Sequence, residues 1–250
     1  VSDLALLDAP SPNFDVRRGP PDMVVLHYTG MQTGEEALSR LRDPSAKVSA
    51  HYVVEEDGRV FRLVPEERRA WHAGASFWKG ERDINAVSIG VEIVNPGHEW
   101  GYRPFPDPQI AAVIALLGEV RQRWTIPNAR ILAHSDVAPA RKQDPGELFP
   151  WRELALAGHG LWFDPEPAPG ADLAEGAEGM GVYVLQAGLH RLGYEPLPSG
   201  RYDAETAANV AAFQRHWRPE GVDGVACGDT RARLMAILRL AALETVTGVL

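Results

Sequence analysis

The sequence predicts an α/β (α+β) fold: a mixed central β-sheet with flanking helices, followed by a small three-helix bundle. Three observations carry this. Strand-like apolar runs alternate with segments of helical period through residues 1–161. A stretch at 162–180 containing Pro165, Pro167 and Pro169, with glycines at 170, 176 and 179, breaks the alternation. Beyond it, residues 181–250 read as three amphipathic helices.

In chain order, Met23–His27 is a continuous apolar run of strand length that ends on a histidine. Glu35–Leu41 has helical spacing. His51–Glu55 and Val60–Val64 are strand runs joined by Glu56-Asp57-Gly58-Arg59, a hairpin turn because Asp-Gly tolerates positive φ. Ala86–Val94 is a further strand. Gln109–Trp124 is a helix whose Ile110, Val113, Ile114, Leu117 and Val120 form one apolar stripe. Arg130–His134 is another strand, and Pro150 suits the first turn of a helix ending near Gly158. After the break, Val182, Leu185, Leu189 and Leu192 share a face that stops at Gly193. Asp203 is placed to cap a second helix with Val210, Phe213 and Trp217 on one face, and a third begins near Asp229.

The intervening 162–180 stretch cannot bury enough apolar surface for a packed element, so it reads as a linker between a domain at 1–161 and a smaller one at 181–250. Five acids and no base lie between Asp164 and Glu178, whereas seven bases balance seven acids from residue 180 onward. Much of the net charge of −9 therefore belongs to the connector, and bulk electrostatics argue against a nucleic-acid partner. No apolar run approaches the roughly 18 residues of a membrane span. No basic-then-apolar leader follows Val1, which says little about compartment. Cys227 is the only cysteine, so no intrachain disulfide forms, and its place beside Gly228 suits packing rather than nucleophilic chemistry.

His27, His134 and Asp144 each sit at the edge of a short apolar or loop-forming segment, and imidazole nitrogen with carboxylate oxygen is a donor set zinc accepts. Three protein ligands plus one open position is the pattern of a hydrolytic site. Asp136 lies nearer to His134, but Asp144 has the better loop placement. Hydrolysis also needs a base and an oxyanion partner. Glu92 lies in the apolar strand Ser88–Asn95, where an unpaired carboxylate is costly to bury; alternation puts Gly90, Glu92 and Val94 on one face. Lys142, one of three lysines beside 22 arginines, precedes Asp144 by two residues and is placed to face the same way. Tyr28, His51, Trp71, His72 and Asn95 flank these motifs and are expected to contact substrate, although His51 and His72 read equally as structural. For His98, His159, His190 and His216 a solvated position is the expectation.

The stretches VVLHYTG at 24–30, SAHYVVEEDGRVFRLVPEERRAWHAG at 49–74, NAVSIGVEIVN at 85–95 and ILAHSDVAPARKQDPGELFPW at 131–151 resemble the type-2 zinc-dependent N-acetylmuramoyl-L-alanine amidases. Peptidoglycan-recognition proteins and a phage amidase known as a lysozyme share that fold. The resemblance implies that His27, His134 and Asp144 bind zinc, that Glu92 is the acid/base and that Lys142 stabilises the transition state. Some relatives carry a cysteine as third ligand and a tyrosine before the histidine matching His51; here those positions are Asp144 and Ala50, which points to the branch relying on glutamate. Residues 184–234 are similar to the peptidoglycan-binding domain type 1, with the LQ..L..LGY, G.YD..T and FQ elements present and the DG..G..T element altered around Cys227.

Together these resemblances imply an amidase that cuts between N-acetylmuramic acid, or its anhydro form, and L-alanine of the stem peptide. Zinc is the implied cofactor, peptidoglycan or muropeptide the partner, and a monomer the expected state. The small module would act as a tether that raises the local concentration of cleavable bonds. A muropeptide-binding protein without activity and a zinc peptidase acting within the stem are the competing readings. A wall-binding module suits the cell envelope, and cleavage of soluble fragments in the cytoplasm is the alternative.

Overall fold

A computed structural model describes residues 4–247 of the chain; 1–3 and 248–250, the outer ends of the two expected domains, lie outside it. In order the elements are β1 (Leu6–Asp8), β2 (Phe14–Val16), β3 (Met23–Tyr28), α1 (Gly34–Arg42), β4 (Tyr52–Val54), β5 (Val60–Arg62), β6 (Arg68–Ala70), α2 (Ile84–Val87) and β7 (Ser88–Ile93). There follow α3 (Gly97–Trp100), α4 (Asp107–Arg123), a 3-10 turn at Asn128–Arg130, β8 (Ile131–Ala133), α5 (His134–Val137), α6 (Trp151–Leu156), α7 (Met180–Leu192), α8 (Ala204–Trp217) and α9 (Gly228–Thr247). Among these residues no helix is long and apolar enough to cross a membrane.

Among the described residues, six strands form one sheet in the order β1-β5-β4-β7-β3-β8. The stretch from β4 to β8 is parallel, while β5 runs antiparallel to β4 and takes β1 beside it. This is the mixed sheet the strand pattern predicts. The β4–β5 hairpin turns at Gly58, whose φ of 88° is open to glycine at no steric cost. Helix α1 starts where Thr33 and Glu36 form a reciprocal capping box. Gln109, fully buried at the start of α4, donates to the carbonyls of Val54 and Val94, fastening that helix to two strands.

The faces of the sheet explain the sequence. Val24, Leu26, Ile89, Val91, Ile131 and Ala133 point to one side and pack under α4 with Ile110, Val113, Leu116, Leu117 and Val120. The opposite face begins apolar, with Met23, Val25 and Leu132, and these join one core with Val182, Leu189, Val210, Phe213 and Trp217 of α7 and α8. A strand run apolar on both faces needs cover on both, and the C-terminal helices supply the second cover.

The helical part is therefore docked on the sheet rather than held on a free tether. Trp78 meets Tyr194 edge-on at 5.1 Å, and Trp217 donates from its indole to the Leu161 carbonyl. The 162–180 stretch has no helix or strand before Met180, as its composition predicts. It is nonetheless strapped to the helices: the Ala168 and Gly176 N–H groups donate to Gly228 and Tyr202, and Leu173 bridges Ala226. Backbone hydrogen bonding supplies what its side chains cannot.

His216 departs from expectation, and its partner is Asp136, the carboxylate passed over in favour of Asp144. His216 is buried, its Nδ1 2.6 Å from Asp136 Oδ2, and its ring is stacked between Trp151 and Trp217. Asp136 also accepts from the Ala133 N–H and the Tyr194 hydroxyl. This carboxylate is consumed as a bracket between α5 and the C-terminal helices.

Candidate active site

The site opens at the carboxyl ends of the parallel strands, where ligands of open α/β sheets bind. His27 near the end of β3 is the register partner of Glu92 on β7. Ala133 of β8 pairs with Leu26, so His134, the next residue, falls beside His27. Because alternate residues share a face, Met23 and Val25 lie under the helices while His27 emerges beyond their edge. Asp144 arrives on the loop after α5, held when its carbonyl accepts from the Ser135 N–H.

The three donors converge. His27 Nδ1 and His134 Nδ1 are 2.8 Å apart, and Asp144 Oδ2 lies 3.1 and 3.0 Å from them. All three residues are buried, and the donor atoms suit a single metal ion. His134 Nε2 lies 3.0 Å from the Ala73 carbonyl, which can only accept, so His134 carries its proton there and presents Nδ1 as a lone pair. A cluster of nitrogen lone pairs and a carboxylate at this spacing fits a cation, and two imidazoles with one carboxylate fit zinc.

Electrostatics agree with a positive guest. Burial, then the neighbouring His134, pushes His27 down to about 4. Burial works against the Asp144 carboxylate, but His134 and His27 outweigh it and hold the group well below the usual carboxylate range. Glu92 is half-buried as a residue, yet its Oε2 is shut from solvent and has no hydrogen-bond partner among the described residues. Burial raises its pKa well above the ordinary value, Asp144 adds to the rise and Lys142 opposes it. An unpartnered buried carboxylate beside a cation-shaped cluster is costly as structure and useful as a base.

These groups line a cleft of about 430 Å³. Lys142 lines it too, and among the described residues its ammonium has no hydrogen-bond or ion-pair partner. Tyr28, Trp71 and His72 stand on the walls, and Trp100 is exposed at the rim.

Two residues expected to touch substrate do not reach the cleft. His51 is fully buried: it accepts the Gly90 N–H at Nδ1, and its Nε2 meets Arg17 and the Arg68 carbonyl. Burial, with Arg17, pushes its pKa down to about 3. Asn95 is also buried, donating to the Arg103 carbonyl and accepting from the Gly97 N–H. Both amide atoms are spent shaping the loop after β7.

His98 departs from a solvated position in the other direction. It lines the cleft, its Nδ1 3.0 Å from the Tyr28 hydroxyl and its Nε2 3.2 Å from Glu147, with its ring stacked on Tyr102. No spacing signal marked it, since its partners come from three separate segments. Arg141, also unmarked, ties the wall by donating to the carbonyls of Ala73 and Ala75.

Comparison with known proteins agrees with this geometry. The family model described as N-acetylmuramoyl-L-alanine amidase matches residues 17–147, and that described as putative peptidoglycan binding domain matches residues 178–234. The chain is 36% identical over 230 residues to the N-acetylmuramoyl-L-alanine amidase AmiD of Escherichia coli, covering 86% of this chain and 82% of that protein. It is 32% identical over 161 residues to the 1,6-anhydro-N-acetylmuramyl-L-alanine amidase AmpD of Haemophilus influenzae, covering 56% of this chain and 85% of that one. Among solved structures, E. coli AmiD with the substrate anhydro-N-acetylmuramic acid-L-Ala-D-gamma-Glu-L-Lys superposes with a TM-score of 0.77 at 34% identity, covering 89% of this chain and 91% of that one. AmpDH3 from Pseudomonas aeruginosa in complex with anhydromuramic pentapeptide gives 0.76 at 31%, covering 88% and 92%.

Proposed function

The chain belongs to the N-acetylmuramoyl-L-alanine amidase family, and from that premise we propose that it works with one zinc ion held by His27, His134 and Asp144. It is an amidase that hydrolyses the bond between N-acetylmuramic acid and L-alanine of the peptidoglycan stem peptide. The observation that carries the zinc reading is the convergence of two Nδ1 atoms and one carboxylate oxygen within 3.1 Å, beside a carboxylate with nothing to bind.

Zinc, when bound, supplies Lewis-acid activation of water and of the scissile carbonyl. The protein's own groups do the rest. The Glu92 carboxylate takes a proton from the attacking water and delivers it to the departing amine of L-alanine. The Lys142 ammonium, without a hydrogen-bond or ion-pair partner among the described residues, meets the negative charge that develops on the carbonyl oxygen. His27 and His134 hold their Nδ1 atoms toward the centre throughout. Tyr28, Trp71 and His98 flank the cleft where sugar and peptide lie. The products are a sugar bearing a free lactyl carboxylate and a stem peptide with a free alanine amine.

The substrate includes soluble anhydro-muropeptides, the ligands named in the AmiD and AmpDH3 complexes, as well as the polymer. In this reading residues 1–161 are catalytic, 162–180 connect, and 181–250 bind peptidoglycan from a fixed seat beside the sheet. The test is mass spectrometry of products from soluble anhydro-muropeptides and from whole sacculi, with and without chelator. Intact stem peptides starting at alanine, lost on chelation and restored by zinc, are expected. Fragments cut within the stem, or cleavage indifferent to chelator, overturn the reading.

A further inference from the structure

We infer that the His72–Ala73 segment, clamped by Asn85 and Ser88, is a positioning device that orients both metal-binding histidines from behind. The inference rests on the zinc site proposed above. It follows from where protons must sit.

The Ser88 hydroxyl has one hydrogen, and it is donated to the Ile84 carbonyl at 2.6 Å. Toward His72 Nε2, 3.2 Å away, its oxygen can then only accept. His72 therefore carries its proton on Nε2 and offers a lone pair at Nδ1. That lone pair lies 3.0 Å from His27 Nε2, which donates to it. With the proton fixed on Nε2, His27 presents Nδ1 as a lone pair toward His134 and Asp144. The next residue completes the arrangement, because the Ala73 carbonyl accepts from His134 Nε2. Two consecutive residues thus hold the outer nitrogens of both ligands.

The segment is itself fixed. Asn85 Oδ1 accepts the N–H groups of His72 at 3.0 Å and of Ala73 at 2.8 Å. Below, Gly90 leaves room for the imidazole: a Cβ there would fall 2.4 Å from the His72 ring. Ser88 and Gly90 belong to β7, the strand that carries Glu92, so one strand sets the ligand orientation and supplies the base. Outer partners of this kind hold ligand tautomer and ring angle, and losing one typically costs about 10–100-fold in metal affinity.

Zinc affinity by chelator competition on His72→Leu and His72→Asn tests this. Asparagine sets an amide oxygen about where His72 Nδ1 stands and keeps an acceptor; leucine fills the space without one. We expect His72→Leu to lose about 10–100-fold in zinc affinity and His72→Asn to stay close to the unmodified protein. A role in packing alone gives the reverse order, and equal affinities for both folded variants also overturn the inference. The metal-free protein gives an independent readout: nitrogen-15 spectra should show His27 protonated at Nε2, and protonation at Nδ1 contradicts the chain. If the unmodified protein binds no zinc, the metal reading fails, and the metal-free spectrum still decides the proton arrangement.

Discussion

Replacing His216 by alanine should destabilise the whole molecule, because that side chain links the C-terminal helices to α5, the short helix that begins at His134. The variant loses a buried hydrogen bond to the Asp136 carboxylate, worth about 1.5–3 kcal/mol. It also loses two stacked ring contacts, with Trp151 at 3.6 Å and Trp217 at 3.7 Å between centroids, each worth about 0.5–1.5 kcal/mol. Together these give about 2.5–6 kcal/mol. For a chain of 250 residues, at about 2–4 °C per kcal/mol, Tm falls by about 5–24 °C. His216→Phe, which keeps a ring in the stack without the donor, should fall between. The assay is calorimetry of both variants, with aromatic packing followed by near-UV signal and secondary structure by far-UV signal. One cooperative transition is expected, since Met23, Val25 and Leu132 share a core with α7 and α8. Unfolding in two separate steps, or a shift of the His216→Ala midpoint below about 2 °C, would refute the reasoning and restore the tethered module.

Glu92→Gln should retain zinc and fold while losing about 10²–10⁴-fold in kcat, the usual worth of a general base, as read by product formation on anhydro-muropeptide; turnover near the original level sinks its role. Lys142→Ala should lower kcat by about 10²–10³-fold with little change in KM, because an oxyanion partner acts chiefly in the transition state; a change in KM alone would place the lysine in ground-state binding. His51, pushed down to about 3 by burial and Arg17, binds its proton more readily unfolded than folded. Its contribution to stability is therefore full above its unfolded pKa of about 6.5 and is lost as pH falls from there toward 3. Urea midpoints from pH 7 to pH 4 should show His51→Gln with a shallower decline, by up to about 1.4 kcal/mol per pH unit; parallel slopes would contradict the buried neutral state.

Much of the fold was legible because apolar period and turn chemistry are local. The β4–β5 hairpin, the α4 stripe and the Asp203 cap, which accepts the Thr206 N–H, each follow from a few neighbouring residues. Strands β2 and β6 were not legible: Phe14-Asp15-Val16 and Arg68-Arg69-Ala70 are three residues each, too short for a period to register, and only their pairing makes them strands. The short β1, Leu6–Asp8, is likewise a strand through its pairing with β5. The docking of the helices was half-legible. Met23-Val24-Val25-Leu26 is apolar on both faces and demands a second cover, but nothing local says that α7 and α8 provide it.

At the site, motif edges placed His27, His134 and Asp144 at strand ends and loops, where the structure brings their donors together. The surrounding histidines were harder, since burial decides their roles and a sequence does not display burial. His51 and His216 are enclosed and His72 is half-buried at the cleft wall, but His51 braces a strand, His72 backs a ligand and His216 joins two parts of the molecule. Asn95 is among the expected substrate contacts, yet the turn after β7 consumes both of its amide atoms.

Anomalous diffraction at the zinc edge, from crystals of the protein as purified and after chelation, is the most direct measurement of the metal centre. A single peak is predicted among His27 Nδ1, His134 Nδ1 and Asp144 Oδ2, gone after chelation and absent from Asp144→Ala crystals that keep the fold. A peak at some other cluster, or none there in an enzyme that still cleaves muropeptide, would contradict it.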